Sequence, residues 1–427
     1  MNIYHIFVNQ FFIMKIYVVL FLTFSYNYLL SQEYETLPPK YIKTIQFTGQ
    51  ADLTGTPVIR LNDQLKLTFD DIRAQVADFY YTVEHYDYDW TPSKLAKNEY
   101  IEGFDNIRIF DFKNSLTTLQ PYTHYELSIP NKNTRRLKVT GNYMLKIFNS
   151  DRQLIFSRKF MVYERQVNVQ AQVRRSRNLD DISKKQLLEY RVGRDGFIFK
   201  NPEQTVNTVI VQNNDFKSAI YDIKPQFTFG NELVFNYPTL TSFYGGNEYL
   251  FFDNRDIRVA SMNINRVELY ELYHTFLRVN RVRENREYVY NPDINGSFKV
   301  NTVQGLDVDR ESEYAVVHFS LDCRKDLNGG ELYVYGRFNN YSLTDETHLE
   351  YNKNNGLFET QILLKQGFYN YKYVYLSANG EFNDHFISGS FDITENDYTI
   401  LVYYRDIGAR YDQIIGVGSA SSRNIVN

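Results

Sequence analysis

The chain has 427 residues, a net charge of -4, and 47 basic against 51 acidic side chains. This balance leaves no basic field for nucleic acid or anionic lipid, and 43% hydrophobic content excludes a largely disordered chain. Tyrosine and phenylalanine are unusually frequent, at 37 and 32 copies. Because aromatic side chains favour the half-buried surface of a sheet, the composition predicts a globular β protein with about three domains.

The N-terminal region predicts an exported protein. Met14 and Lys15 precede the apolar run IYVVLFLTFSYNYLL, and a polar stretch begins at Ser31. A short charged start, an apolar core and a small residue before a polar chain are typical of a cleaved secretory signal. We therefore expect a signal peptide over 1–31, with the true start at Met14. The alternative is a single membrane anchor, although the run is shorter than the ~20 residues that a spanning helix needs.

Residues 37–165 alternate polar and apolar side chains in short segments. LKLTFDD (65–71) is one example, and NYMLKIFNSD (142–151) followed closely by LIFSRKFMVYE (154–164) predicts a hairpin. Only 94–100 and 180–190 look helical, and both are short. Regularly spaced strands without long amphipathic helices predict an N-terminal β-sandwich over 37–165.

The segment VEHYDYDWTPS (83–93) carries His85, Asp87 and Asp89 at every second residue. On a strand these side chains would line one side, as metal ligands or acid–base groups could. A zinc or iron site usually has more histidine, and a calcium loop needs a glycine and a closing glutamate that are absent here. A strand that ends in a turn at Asp89 and Thr91-Pro92 explains the segment better. We predict no metal and no cofactor; the open alternative is an exported enzyme acting through His85, Asp87 and Asp89.

Strand-like segments continue beyond the first unit. They predict a middle β-rich domain over 166–300 and a C-terminal β-sandwich over 311–405. Arginine-rich stretches in the middle domain are balanced by nearby acidic residues, which favours a solvated or partner-facing surface over nucleic-acid binding. Residues 406–427 lose the alternation and are predicted to form a partly ordered tail.

Cys323 is the only cysteine, so no internal disulfide and no lipid anchor next to the signal region is expected. In HFSLDCRKD it is interpreted as a buried thiol at the end of a strand rather than as a nucleophile. Neither a nucleophile elbow nor a glycine-rich phosphate loop is present in its usual strand and helix setting. The sequence therefore predicts no catalytic residue.

Several long motifs follow one another in a fixed order. They are LTFDD (67–71), FYYTVEHYDYDWTPSKLAKNEYIEGFD (79–105), LQPYTHYELSIPN (119–131), GNYMLKIF (141–148), FKSAIYDIKPQFTFGN (216–231), FFDNRDIRV (251–259) and NNGLFETQILLKQGFYNYKYVY (354–375). Together they resemble the plug protein family of the type IX secretion system of Bacteroidetes. The resemblance covers about residues 37–405.

This resemblance implies an exported periplasmic protein without enzymatic activity. Such a plug sits beneath the very large outer-membrane β-barrel translocon and closes its periplasmic opening. The barrel otherwise exchanges the plug for an outer-membrane barrel protein that shuttles substrates. The implied partner is therefore the translocon barrel, with no nucleic acid and no direct membrane span.

Two weaker resemblances concern single domains. The pattern over 79–105, closed by Gly141-Asn142-Tyr143, is similar to the tyrosine-rich immunoglobulin-like domain of periplasmic sensors. ELYVYGRFNNYSL (331–343) looks like the early-set immunoglobulin-like modules that bind starch or glycogen on exposed aromatics. Tyr341 stands where those modules commonly have tryptophan, but a second platform aromatic is not identifiable. The resemblances imply tandem immunoglobulin-like or fibronectin-III-like sandwiches, and an exported carbohydrate-binding protein is the alternative function.

Large aromatic side chains anchor many interfaces, so they are the candidate contact residues. We expect Tyr86, Tyr88, Trp90 and Tyr341 to contact a partner or, weakly, a glycan.

Overall fold

The computed structural model describes residues 32–49, 56–194 and 196–425, so the expected signal peptide over 1–31 lies outside it. Within these ranges the chain is nearly all β, which confirms the predicted class of tandem β-sandwiches. Within these ranges no helix has the length and apolar character of a membrane span.

The first domain packs two sheets face to face. One sheet has the strand order β1-β3-β8-β7, and the other contains β11-β10-β4-β6, with β2 parallel to β11. The predicted hairpin is confirmed as β10 and β11. Leu67, Phe69, Val83 and Tyr143 are buried between the sheets. The elements are β1 (Ile42–Gly49), β2 (Val58–Arg60), β3 (Leu65–Asp71), β4 (Tyr80–Tyr86), α1 (Lys97–Tyr100), β5 (Ile101–Gly103), β6 (Ile107–Arg108), β7 (Asp111–Asn114), β8 (Thr123–Ile129), β9 (Thr134–Leu137), β10 (Gly141–Phe148) and β11 (Leu154–Tyr163).

The second domain begins with a sheet of order β12-β13-β17-β16, to which β18 adds by pairing with β13. The helical look of 180–190 is misleading: a turn leads there into β13, because cross-strand pairing and burial override weak helix propensity. The elements are β12 (Asn168–Arg175), β13 (Lys185–Gly193), α2 (Pro202–Thr205), β14 (Val206–Gln212), β15 (Ile220–Ile223), β16 (Phe227–Phe229), β17 (Glu232–Phe235) and β18 (Ser242–Tyr244).

The third domain is a sandwich whose sheets are built around β28 and β24. β28 pairs with β19, β23, β25 and β29, while the other sheet has the order β20-β21-β24-β27-β26, with β22 on β24. Cys323 directly follows β24 and is buried, as predicted. The elements are β19 (Leu250–Asp253), β20 (Ile264–Leu269), β21 (Tyr273–Leu277), β22 (Asn280–Arg281), β23 (Phe298–Val300), α3 (Val308–Glu311), β24 (Tyr314–Asp322), β25 (Glu331–Tyr335), β26 (Glu350–Asn352), β27 (Leu357–Lys365), β28 (Gly367–Leu376) and β29 (Phe382–Asn383).

A last hairpin, β30 (Asp397–Tyr404) and β31 (Gln413–Ser421), returns to the second domain, where β30 pairs with β14. Residues 413–421 were predicted to belong to a tail, and the structure corrects this. Glycines at 416 and 418 interrupt the alternation of polar and apolar residues, so the sequence does not show this strand. They are glycines because β12 passes close by: a Cβ at Gly418 would lie 2.4 Å from Val169 Cγ1.

The buried side chains group differently from the predicted boundaries at 300 and 405. The second core combines residues from 167–243 with residues from 398–415, and the third core spans 252–387. The third domain is thus inserted between β18 and β30 of the second. The first and second domains also share one sheet, of order β15-β14-β30-β31-β11-β10-β4-β6, in which β31 and β11 meet in parallel at Ile414 and Tyr163.

Candidate functional site

The segment 83–93 is a strand followed by a turn, as predicted. β4 ends at Tyr86, and the amide of Trp90 donates to the carbonyl of Asp87 at 3.0 Å. Asp89 Oδ1 then accepts from the amide and the hydroxyl of Thr91, at 3.0 and 2.7 Å. The carboxylate of Asp89 is therefore used to fix the turn.

His85 lies inside the first sandwich instead of on a solvent-facing side of β4. Its Nε2–H donates to the carbonyl oxygen of Thr140 at 3.1 Å, and the Tyr143 ring packs 4.8 Å away. Burial lowers the pKa of His85 to about 4, because the charged imidazolium loses its hydration. Asp87 pairs with Arg405, so the three residues of the enzyme alternative do not converge. In the described ranges no three or more His, Cys, Asp or Glu side chains are grouped to hold a metal ion.

Tyr86 and Trp90 do not face solvent. Both belong to an apolar cluster between the first and second domains, where they meet residues such as Leu401 and Ile414. Trp90 is only 3% exposed, and Lys159 Nζ lies 4.2 Å from its ring centroid. Of the predicted contact residues in this segment, only Tyr88 remains half-buried. In place of the expected partner or glycan contact, Tyr86 and Trp90 contact a neighbouring domain of the same chain, which covers them.

Tyr341 is 5% exposed and lies at the junction of the second and third domains. Its hydroxyl donates to the carbonyl of Asn213 at 3.2 Å, and its ring packs against Tyr335 at 5.2 Å. Beside it, Tyr335 donates to the buried carboxylate of Asp215 at 2.7 Å. Tyr341, which stands at the position of a sugar-stacking aromatic in the modules that 331–343 resembles, is buried between two domains.

An ion pair that is almost fully buried joins the first and third domains. Lys365 Nζ lies 2.8 Å from Asp70 Oδ2, and the two side chains are 1% and 0% exposed. His124 Nδ1 and the Tyr314 hydroxyl also donate to Asp70, at 2.6 and 2.7 Å. Burial opposes the charged carboxylate, but Lys365 and His124 outweigh it and hold the pKa of Asp70 below its usual value.

A second charged cluster joins the first domain to the final hairpin. Arg405 lies 2.6 Å from Asp87 and 3.1 Å from Asp412. Asp412 Oδ2 also accepts from the amide of Tyr88 at 3.1 Å. Together with the shared sheet, these contacts fix the first two domains against each other. Of the three candidate residues of 83–93, Asp87 therefore belongs to a domain junction.

The most exposed apolar feature of a regular element is β16, at the edge of its sheet. Phe227 and Phe229 are 50% and 66% exposed, and their ring centroids lie 6.2 Å apart. β16 pairs with β17, from which Gly230 separates it in the left-handed region at a φ of 58°. An exposed edge strand offers unpaired backbone groups together with its side chains, so it can pair with another chain. Alternation in FTFGN places both rings on one side, but the sequence does not reveal that this side is open.

Comparisons with known proteins agree with this architecture. A family model described as type 9 secretion system plug protein 1st domain matches residues 42–164. The crystal structure of a hypothetical protein from Parabacteroides merdae superposes with a TM-score of 0.87 and 30% identity, covering 92% of this chain and 100% of that one.

The collagen adhesin CNA of S. aureus aligns over 90% of this chain and 98% of that one, but with a TM-score of 0.10 and 7% identity it carries no argument. No curated protein matches the chain. The family model, the shared fold and the ordered motifs point the same way. Residues 42–164 belong to the type 9 secretion system plug protein family as its first domain.

Proposed function

We propose that this protein is a non-enzymatic plug that closes the periplasmic opening of the outer-membrane translocon barrel of the type IX secretion system. The observation that carries the proposal is the family match of the first domain. The family is not a known enzyme family and suggests a periplasmic location. Export by a cleaved signal peptide would bring the protein there.

The domain junctions support this role. Closing a pore needs no chemistry, only a folded body that does not deform and an interface that can be released. The buried Asp70–Lys365 pair, the partly exposed Arg405 cluster and the shared sheet connect the domains. Because a buried pair is costly to break, these contacts favour a single rigid body.

We further propose that β16 contacts the barrel. A plug that has to leave for transport to proceed needs a contact of moderate size. Two exposed phenylalanines on an open edge strand provide apolar anchors and backbone donors and acceptors in a small area.

The plug role is tested by affinity capture of the tagged chain from a host with a type IX system in which substrate loading is blocked. We expect the translocon barrel to be recovered in amounts comparable to the chain. Recovery of the chain without the barrel under these conditions would contradict the role.

The β16 contact is tested in the same capture with the double variant Phe227→Asp/Phe229→Asp. We expect the barrel to be lost while the variant stays folded. Phe104→Asp is the matched control, because Phe104 is 76% exposed but lies outside β16. If the double variant recovered as much barrel as Phe104→Asp does, β16 would not be the contact, whereas the plug role would be unaffected.

The two alternative functions gain no support from the site. Carbohydrate binding depended on Tyr341, which is buried at a domain junction. Catalysis depended on His85, Asp87 and Asp89, which point to three separate sets of partners.

A further inference from the structure

A cavity of about 280 Å³ lies between the first and third domains. Its walls are mainly apolar side chains of β1, β23, β27 and the turn after β25, namely Ile42, Ile45, Phe298, Phe338, Ile362 and Leu363. Small-molecule sites are typically apolar hollows of about 300–1,000 Å³ with a few polar groups that fix orientation. The volume and the walls therefore suit a small, largely apolar ligand.

Arg158 of β11 lines this cavity and is 7% exposed. Its one hydrogen bond to the described part of the chain runs from Nη1 to the carbonyl of Ser157 at 2.7 Å. An arginine carries five N–H donors, and a buried guanidinium is normally paired with an acid. No carboxylate of the described residues forms an ion pair with it.

Glu35 is the acid whose charge attracts Arg158, but its carboxylate oxygens accept hydrogen bonds from other residues. Glu35 accepts from the amide of Lys159 at 2.7 Å and from Asn340 Nδ2 at 2.6 Å. Burial lowers the pKa of Arg158, and the attraction of Glu35 opposes this only in part. The guanidinium therefore retains capacity for an anion.

The other charged side chains around the cavity cancel. Lys43 and Glu346 form an ion pair at 2.6 Å, and the remaining charged residues of the lining besides Arg158 are Lys40 and Asp345. With Arg158 the lining holds three cations and two anions, a surplus of one positive charge. A ligand with one negative charge would balance it.

The cavity wall also contains a strained residue. The pairing of β1 with β3 shifts register between Lys43 and Gln46, and Thr44 adopts a φ of 50°. A β-branched residue rarely occupies this region, and bulges often redirect side chains next to functional sites. Thr44 Oγ1 is held 2.6 Å from the Tyr314 hydroxyl, so a contact across the two domains fixes this wall.

We propose that the cavity is a binding site for a single-chain amphiphile with an apolar tail and one anionic head group, which Arg158 receives. The tail lies against the aliphatic and aromatic walls, and the head accepts hydrogen bonds from the free guanidinium donors. The site lies between two domains, so its occupant also bridges them. The inference is independent of the plug role.

Isothermal titration of the purified full chain, after passage over a lipid-adsorbing resin, tests the site. The probes are decanoate, decyl phosphate, neutral decanol and acetate. We expect one equivalent of decanoate or decyl phosphate to bind, and the tighter of the two identifies the head group. Decanol should bind about 10- to 100-fold more weakly, since it lacks the charge-assisted hydrogen bonds. Equal binding of decanol, or no binding of either anion, would overturn the proposal.

Variants locate the ligand. Arg158→Gln should weaken binding of the anion about 10- to 100-fold, whereas Arg135→Gln should change it by less than about twofold, since Arg135 is 62% exposed and lies outside the cavity. Thermal unfolding shows whether each variant folds. If Arg158→Gln does not fold, Leu363→Trp decides, because the larger side chain fills the cavity and should abolish binding. Wild-type affinity in a folded Arg158→Gln or in Leu363→Trp would refute the site.

Discussion

The buried ion pair between the first and third domains makes a sharp prediction for Lys365→Met. The change removes Nζ but leaves the Asp70 carboxylate without solvent exposure, so a charge stays buried with His124 and Tyr314 as its remaining partners. Removing one partner of such a pair typically costs about 3–5 kcal/mol. We expect the free energy of unfolding to fall by about this amount at pH 8.

Urea unfolding followed by fluorescence measures the loss, since Trp90 is the only tryptophan of the chain. Lys66→Met is the matched control: Lys66 pairs with Glu126 at 2.8 Å on the same sheet, but both are about 40% exposed. An exposed pair should contribute only about 0.2–1 kcal/mol. The double variant Asp70→Asn/Lys365→Met should recover part of the loss, because it no longer buries an unpaired charge.

The effect should depend on pH in a defined direction. In the wild type the pKa of Asp70 is lowered on folding, so the pair contributes fully above the unfolded value, near 3.9, and loses its contribution as the pH falls through the folded value. In Lys365→Met burial is less opposed and raises the pKa of Asp70, so the variant takes up a proton more readily. Its deficit should therefore be smaller at pH 4 than at pH 8. A loss equal to that of Lys66→Met, or one that is constant with pH, would show that the substitution does not leave a buried charge unpaired.

Three further predictions concern other parts of the molecule. Tyr341→Ala should lower the free energy of unfolding by about 3–5 kcal/mol, as large-to-small core changes do, and leave binding in a glycan array unchanged. Burial lowers the pKa of Lys159 to about 8, so the fluorescence of Trp90 should titrate near pH 8 in the wild type but not in Lys159→Met. The free energy of unfolding should rise as the pH increases from about 8 towards the pKa of an unfolded lysine, about 10.4. Phe227→Asp/Phe229→Asp should change the free energy of unfolding, measured with urea, by no more than about 0.5 kcal/mol, since both rings are exposed; a large loss of stability would show that the rings are structural.

Alternation predicted most of the strands because each sandwich has one solvent side and one core side, as in β3. It was ambiguous for β4, where both sides of the strand carry mixed residues. The reason is that the buried side of β4 carries the polar His85 besides Tyr81 and Val83, and that Tyr86 at its end enters the cluster shared with the second domain. The burial of β4 keeps the two-residue period as far as His85, but the mixed residue types on both sides hide it in the sequence.

The candidate contacts were missed for a related reason. The sequence indicates that Tyr341 occupies a position used by sugar-binding modules, but only the fold shows that Asn213 and its neighbours cover it. Conversely, FTF in β16 looks like any other strand until its edge position is known. Packing between domains, across 128 positions of the chain, decides the burial of Tyr341, whereas the position of β16 at the edge of its sheet leaves its rings exposed.

A plug that closes the translocon should block the flow of ions through it, which a conductance measurement detects. The purified barrel is reconstituted in a planar bilayer, and the chain is added to the side that corresponds to the periplasm. We predict that the current through the open barrel falls to the level of the bare bilayer, while addition from the opposite side has no effect. An undiminished current at concentrations where the chain is bound to the barrel would contradict the plug role.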